Sequence, residues 1–209
     1  DIYGSVAVVQ CHSVGMYRSR HQIAEAIVAV FGDKITAVYD KSSQTVPFKA
    51  NLNPIDGYLY GSADKDNVVL ENGHKFLVNW EEGQKTGFFL DQKMNRLRVQ
   101  ELAHDKTVLD ICTHTGSFAI NAAAGKASKV TALDVSEYAI QVAKENAKRN
   151  HVEDTIEFVV GDAFEFLESE IEKHHKYDLV ILDPPAFTKS RKAIPAALRG
   201  YQRLNKLGM

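Results

Sequence analysis

The chain is short of cysteine: Cys11 and Cys112 are the only two in 209 residues, and they lie far apart. Such a pair fits neither a disulfide framework nor the clustered spacing of a metal site, so a reducing, cytoplasmic setting without metal is expected. Long apolar runs are also missing. No stretch approaches the ~20 residues needed to cross a bilayer, and no N-terminal signal pattern appears, so no membrane partner is expected. Charge of one sign is scarce. A formal net charge of −2 gives no global pull toward nucleic acid. Internal repeats and low-complexity segments are absent. What remains, 44% hydrophobic and 25% charged residues, is an ordinary globular composition, long enough for one sizeable domain and a small one.

Two regions separate by pattern. Residues 1–80 read as a small α+β domain: a strand over Ser5–Gln10, an amphipathic helix over Arg18–Phe31 stopped by Gly32, and a strand over Ile35–Tyr39. Residues 42–66 are rich in Ser, Asn, Asp, Gly and Pro and read as loop. Val68–Glu71 and Lys75–Val78 flank Asn72-Gly73, which suits a type I′ hairpin turn. Residues 81–92 form a connection. From residue 93 to 209 the rhythm becomes strand–helix repeats, with strands at 107–111, 129–133, 155–160 and 178–182. That alternation predicts an α/β domain with a parallel, doubly wound, Rossmann-like sheet. Ligands in such sheets sit outside the carboxyl ends of the strands. Such a sheet would continue past the last helix, which is expected over 194–207, so the chain reads as part of a longer protein.

The polar residues of interest gather at those strand ends: Asp110, Asp134, Asp162 and Asp183. Any one of them could be a helix N-cap; four at successive strand ends are harder to explain that way. The first loop, Asp110-Ile111-Cys112-Thr113-His114-Thr115-Gly116-Ser117, has one glycine and opens on an acid. It lacks the Gly-x-Gly-x-x-Gly pattern that brings backbone close to a pyrophosphate, and its acid would repel one. A ligand bearing an ammonium and a sulfonium suits it better, and S-adenosyl-L-methionine is the expected cofactor. Asp134 is placed to take ribose hydroxyls, and Asp162 an adenine amino group with Ala163 or Phe164 against the ring. The fourth strand runs into Asp183-Pro184-Pro185-Ala186-Phe187. Both prolines fix φ, so this corner is stiff, and a planar base could donate to Asp183 and a proline carbonyl while resting on Phe187. Lys189, Arg191, Lys192, Arg199, Arg203 and Lys206 follow without an intervening acid. That basic strip is suited to a phosphate backbone, although a solvated helix face reads equally well. His114 and His174-His175 receive no role.

The motifs Asp110–Phe118, Asp134, Gly161-Asp162-Ala163-Phe164 and Asp183-Pro184-Pro185 resemble those of class I S-adenosylmethionine-dependent methyltransferases. Gly83-Gln84-Lys85-Thr86-Gly87 with Asn95-Arg96, and Arg199-Gly200-Tyr201 beyond the Pro-Pro corner, are similar to the large-subunit ribosomal RNA cytosine-C5 methyltransferases. The resemblance implies a PUA domain ahead of this chain. It also implies cofactor contacts from Gln84, Lys85, Thr86, Arg96, Asp110, Thr113, Thr115, Gly116, Phe118, Asp134, Asp162, Ala163 and Phe164. Asp183, Pro184 and Phe187 would hold the base, and Lys189, Arg191, Lys192 and Arg199 the RNA.

Cytosine C5 takes a methyl group only after a thiolate adds to C6. The residue after Pro185 is alanine, Cys112 reads as a small buried hydrophobe, and Cys11 reads as structural. In the resembled family the nucleophile comes from a later strand, so this stretch alone is expected to be inactive. An unpaired or flipped RNA base is the expected partner, with a second copy of the chain, as a homodimer, the other partner considered. Competing readings are methylation of an exocyclic amine, which needs no cysteine, and a non-catalytic RNA-binding module.

Overall fold

The computed structural model describes residues 1–47, 52–63, 67–188 and 190–209. It divides into two compact units, Asp1–Glu71 with Phe76–Gln92, and Asn72–Lys75 with Lys93–Met209.

The first unit carries a sheet in the order β1-β2-β3-β4, formed by Ile2–Tyr3 (β1), Val6–Val9 (β2), Ala37–Asp40 (β3) and Gly57–Gly61 (β4). β2 and β3 are parallel and the outer pairs antiparallel. Ala7, Ile35 and Val38 from the sheet side bury Ala24 of the crossover helix. The helix expected from Arg18 is two helices, Val14–Arg18 (α1) and Arg20–Phe31 (α2). Ser13 caps α1 by accepting the Met16 amide at 3.3 Å, and the chain turns at Ser19 before α2 begins. β4 corrects the reading of 42–66 as loop; residues 48–51 and 64–66 of that stretch lie outside the described residues. Its glycine-flanked Gly-Tyr-Leu-Tyr-Gly hides the strand in a polar neighbourhood. Gly61 is needed there, because a Cβ would stand 2.0 Å from the Thr36 carbonyl oxygen at a φ of +59°.

Val68–Glu71 (β5) and His74–Leu77 (β6) form the expected hairpin, with Asn72 at φ 53° and Gly73 at φ 85°. Both central residues are left-handed, as a type I′ turn requires. The turn belongs to the second unit, where Lys75 exchanges two backbone hydrogen bonds with the Asn150 side chain at 2.8 and 2.7 Å. Asn72 also donates to the Lys93 carbonyl at 3.2 Å.

The second unit is α3 (Lys93–Leu102), β7 (Thr107–Ile111), α4 (Ser117–Ala124), β8 (Lys129–Asp134), α5 (Glu137–Arg149), β9 (Ile156–Val160), α6 (Ala163–Glu172), β10 (Leu179–Leu182) and α7 (Ile194–Gly208). The sheet order is β10-β7-β8-β9, all parallel. One face of the sheet, carrying Leu109, Ile111 and Leu133, packs Leu167 of α6 and Leu204 of α7. Each such side chain contributes roughly 1.5–3 kcal/mol by leaving water. Ser136 starts α5 as expected, its hydroxyl accepting the Ala139 amide at 3.2 Å. The chain winds β7, β8, β9 in one direction and then returns to place β10 on the other side of β7. The reversal opens a crevice at the carboxyl ends of β7 and β10, between the loop after Ile111 and the corner after Leu182. Among the described residues no helix is long and apolar enough to cross a membrane.

Candidate active site

Asp110 sits in β7 with its side chain 1% exposed, facing the start of α4. One oxygen accepts the Thr113 hydroxyl at 2.5 Å and the Ala119 amide at 3.1 Å. The other, Oδ1, is buried and has no hydrogen-bond partner among the described residues. Burial pushes the carboxyl up to about 7; the Thr113 and Ala119 donors pull against this, and the charges of Asp183 and Asp134 add to it. A buried acid with a bare oxygen lacks one cation or donor.

The loop after β7 is held in an unusual backbone course. Cys112, His114 and Gly116 all have positive φ, at 62°, 52° and 80°. Non-glycine residues rarely sit there, so the surroundings must hold them. The Thr113 amide bonds the Leu133 carbonyl at 2.9 Å. The His114 amide donates to Asp134 Oδ2 at 2.8 Å, and Asn146 of α5 donates to the Thr115 carbonyl at 3.1 Å. Gly116 lies so close to α5 that a Cβ would stand 2.8 Å from that of Ala143. Thr113 and Thr115 are buried, and the Thr115 hydroxyl has no hydrogen-bond partner among the described residues. Phe118 is buried in α4, with the buried Arg96 guanidinium 6.0 Å from its ring centre.

The remaining acids take distinct positions. Asp134, half-buried at the end of β8, accepts the His114 and Ser136 amides on separate oxygens, so it ties the loop to the start of α5. Asp162 is the N-cap of α6, one oxygen accepting Phe164 and Glu165 amides at 2.8 and 3.1 Å. Asp183 is exposed on the corner after β10. Burial first, and then the charges of Asp134, Asp110, Asp183 and Asp162, push the Cys112 thiol up to about 11. The negative charges around this loop make it a setting that favours a cation over an anion. His114 moves the other way: burial lowers its pKa, partly opposed by Asp134.

At the Pro-Pro corner the Phe187 ring lies 4.4 Å from that of Tyr201 and 6.3 Å from that of Phe164, so it packs among protein aromatics. Phe164 also carries the Arg203 guanidinium at 4.8 Å, and Arg203 pairs with Glu168 at 2.6 Å. Pro184 is half-buried beside the exposed Asp183. Arg191 and Lys192, in the 3-10 turn before α7, and Arg199 within α7 are exposed; Lys189 lies outside the described residues.

Gln84, Lys85 and Thr86 belong to the first unit. Gly83 and Gly87 let this loop double back on Asn79, whose carbonyl oxygen would stand 2.2 and 2.8 Å from added Cβ atoms. Thr86 is buried against the Tyr3 hydroxyl at 2.9 Å, and the Lys85 ammonium lies 4.7 Å from the centre of the Phe89 ring. Gln84 is exposed.

Residues 50–207 match the profile of the S-adenosylmethionine-dependent methyltransferases. The chain belongs to that family. It is 38% identical over its whole length to a candidate ribosomal RNA large subunit methyltransferase of Methanocaldococcus jannaschii, and 35% identical to ribosomal RNA large subunit methyltransferase I of Pseudoalteromonas translucida. In each case it spans 53% of the relative's length. A solved candidate methyltransferase complexed with SAH superposes with a TM-score of 0.80 at 27% identity, over 98% of this chain and 53% of that one. The Rossmann-like methyltransferase fold read from the strand–helix rhythm is therefore the fold present.

The residues present fit the family's cofactor. The bare Oδ1 of Asp110 would suit an ammonium, and the acids around the loop suit a sulfonium better than a pyrophosphate. Sequence reasoning missed Asn146 and Glu170. Asn146 gives no signal, being one amide in a polar-looking helix. Glu170 is buried at the end of α6 and collects Tyr177, His175 and Lys173 at 2.7, 2.9 and 3.2 Å. That engages His175, which had received no role.

Proposed function

We propose that this chain forms the cofactor-binding and base-presenting part of an S-adenosylmethionine-dependent methyltransferase acting on large-subunit ribosomal RNA, with cytosine C5 as the target atom. The observation that carries the reading is the buried Asp110 Oδ1, without a hydrogen-bond partner among the described residues, near the carboxyl end of β7 where it pairs with β10. The RNA assignment rests on the relatives' names and on the exposed cations Arg191 and Lys192 before α7 and Arg199 within it.

When bound, the cofactor supplies an electrophilic methyl group. Asp110 holds the ammonium, and Thr113 keeps the carboxylate oriented for it. Asp134 accepts from the ribose hydroxyls through its remaining lone pairs, since each oxygen already takes one amide. Asp162 takes the adenine amino group on the oxygen not used for capping, with Ala163 and Phe164 beside the ring. Asp183 and the Pro184 carbonyl accept from the exocyclic amine of an unpaired base, and Arg191, Lys192 and Arg199 neutralise its phosphates.

One observation favours a second reading, methylation of an exocyclic amine. Attack at C6 of cytosine needs a thiolate, and Cys112, at about 11, is protonated at neutral pH. Cys11 is buried in the first unit. In the cytosine reading the nucleophile is a cysteine outside residues 1–209.

Mass analysis of nucleosides from ribosomal RNA methylated by the intact protein separates the two. 5-Methylcytidine is expected; an N-methylated nucleoside selects the second. Calorimetry with S-adenosylmethionine tests the shared part, because a module that only binds RNA gives no heat.

A further inference from the structure

The helix α7 touches the Pro-Pro corner through two consecutive residues. The Tyr201 hydroxyl accepts the Phe187 amide at 3.3 Å and lies 3.5 Å from the Pro185 carbonyl, toward which its proton can point. Its ring lies against that of Phe187 at 4.4 Å, with 31° between the planes. One residue earlier Gly200 leaves room for the same ring: a Cβ there would meet Phe187 Cδ2 at 3.0 Å and Cε2 at 3.3 Å. Pro184 and Pro185 bring no amide hydrogens, so the corner cannot be pinned by its own backbone at those positions. Contacts from α7 therefore contribute to setting its register relative to Leu182. Phe187 is the first residue after the prolines with a large side chain, and α7 holds both its amide and its ring.

α7 is itself anchored. Leu204, 1% exposed, packs into the core with Leu109, Ile111 and Leu133. A hydroxyl at Tyr201 therefore transmits the position of a rigid core helix to the loop that begins at Asp183. No helix-forming need explains a glycine at 200; in a helix interior it costs about 1 kcal/mol relative to alanine. The close approach of Phe187 does.

We propose that Tyr201 is a positioning residue for the target base, and that Gly200 is the space that lets it act. The proposal rests on the reading that the Asp183–Phe187 corner receives that base. On this proposal Tyr201 acts through Phe187 and the Pro185 carbonyl, not by touching the base itself. It sets where Asp183 and the proline carbonyls stand.

Three substitutions in the intact protein test this, each measured for methylation of ribosomal RNA, for S-adenosylmethionine affinity by calorimetry, and for thermal midpoint. Tyr201→Phe keeps the ring and removes one hydroxyl, so a roughly two- to tenfold fall in kcat is expected, with cofactor Kd and Tm unchanged. Gly200→Ala favours the helix yet displaces Phe187, so kcat should fall while Tm holds or rises. Asp183→Ala is the control for the corner itself and should lose turnover more than cofactor affinity. If Asp183→Ala is defective while both α7 variants turn over like wild type, the positioning role is wrong and the corner reading stands. If Asp183→Ala turns over normally, the corner does not receive the base and the proposal falls with it. A Tyr201→Phe variant whose Tm or cofactor affinity drops along with kcat shows a merely structural tyrosine and overturns the proposal.

Discussion

Asn146, fully buried in α5, donates its side-chain amide to the Thr115 carbonyl at 3.1 Å. A helix behind the sheet thereby holds the middle of a loop whose neighbours at 114 and 116 are both left-handed. Asn146→Ala leaves that carbonyl without this donor, a loss on the order of 1–3 kcal/mol for a buried group. Calorimetry should show S-adenosylmethionine binding weakened about tenfold, and thermal melting should show reduced stability. Unchanged binding would mean that the loop keeps its course without α5.

If Asp110 holds the cofactor's ammonium, binding is expected to depend on pH. In the free protein its carboxyl titrates near 7, pushed up by burial, whereas an unfolded aspartate titrates near 3.9. Between about pH 4 and 7 the folded chain holds a proton that the unfolded chain has released. Stability of the free protein therefore falls as pH rises through this window and levels off above about 7. Binding an ammonium requires the ionised form, so affinity should weaken up to about tenfold per pH unit below 7. Calorimetry at pH 6 in two buffers of different ionisation enthalpy should report about one proton released, and none at pH 8. Asp110→Asn should abolish both dependences.

Asp134 bridges two amides on separate oxygens. Asp134→Ala should weaken cofactor binding by about one to two powers of ten, from charge-assisted bonds of roughly 1.5–3 kcal/mol. Asp134→Asn keeps one acceptor oxygen but puts a donor against an amide, and should recover only part of the affinity. Full recovery would mean that the carboxylate's charge is irrelevant.

Glu170 gives the second unit an acid-sensitive point far from the crevice. Burial by itself would raise its pKa, but hydrogen bonds from Tyr177, His175 and Lys173 together outweigh it and hold the carboxyl below its ordinary value. A depressed carboxylate stabilises the fold above about pH 4.3, the unfolded value, and that contribution is lost as pH falls through the lower folded value. Unfolding measured between pH 5 and about 3 should therefore fall more steeply for wild type than for Glu170→Gln. Parallel curves would remove Glu170 as the cause.

Much of this was legible from residue order alone. β7 to β10 and the helices between them follow from short apolar runs alternating with amphipathic stretches, because such strands are buried on both faces and need helical crossovers. Ser136 and Asn72-Gly73 announced their cap and turn, since each rests on a local backbone requirement. The four strand-end acids were visible for the same reason. β4 was not, because a strand framed by glycines in a polar stretch is stabilised by pairing with β3 rather than by its own pattern. Nor was the break at Ser19, which leaves no mark on the apolar spacing.

By itself the sequence determined the parallel sheet, the crevice at its carboxyl end and the sign of the charge that gathers there. Those depend on periodicity and on residues near one another along the chain. Only the tertiary structure decided how each acid is used. Asp162 caps a helix, Asp134 ties a loop, and Asp110 keeps an oxygen bare because burial removes water and the fold supplies donors to only one side of it. It also decided that Asn146, unremarkable along the chain, bonds the loop after β7, and that Tyr201, visible in the sequence only as part of Arg199-Gly200-Tyr201, bonds the corner after β10, since contacts between distant segments exist only once the sheet has brought them together.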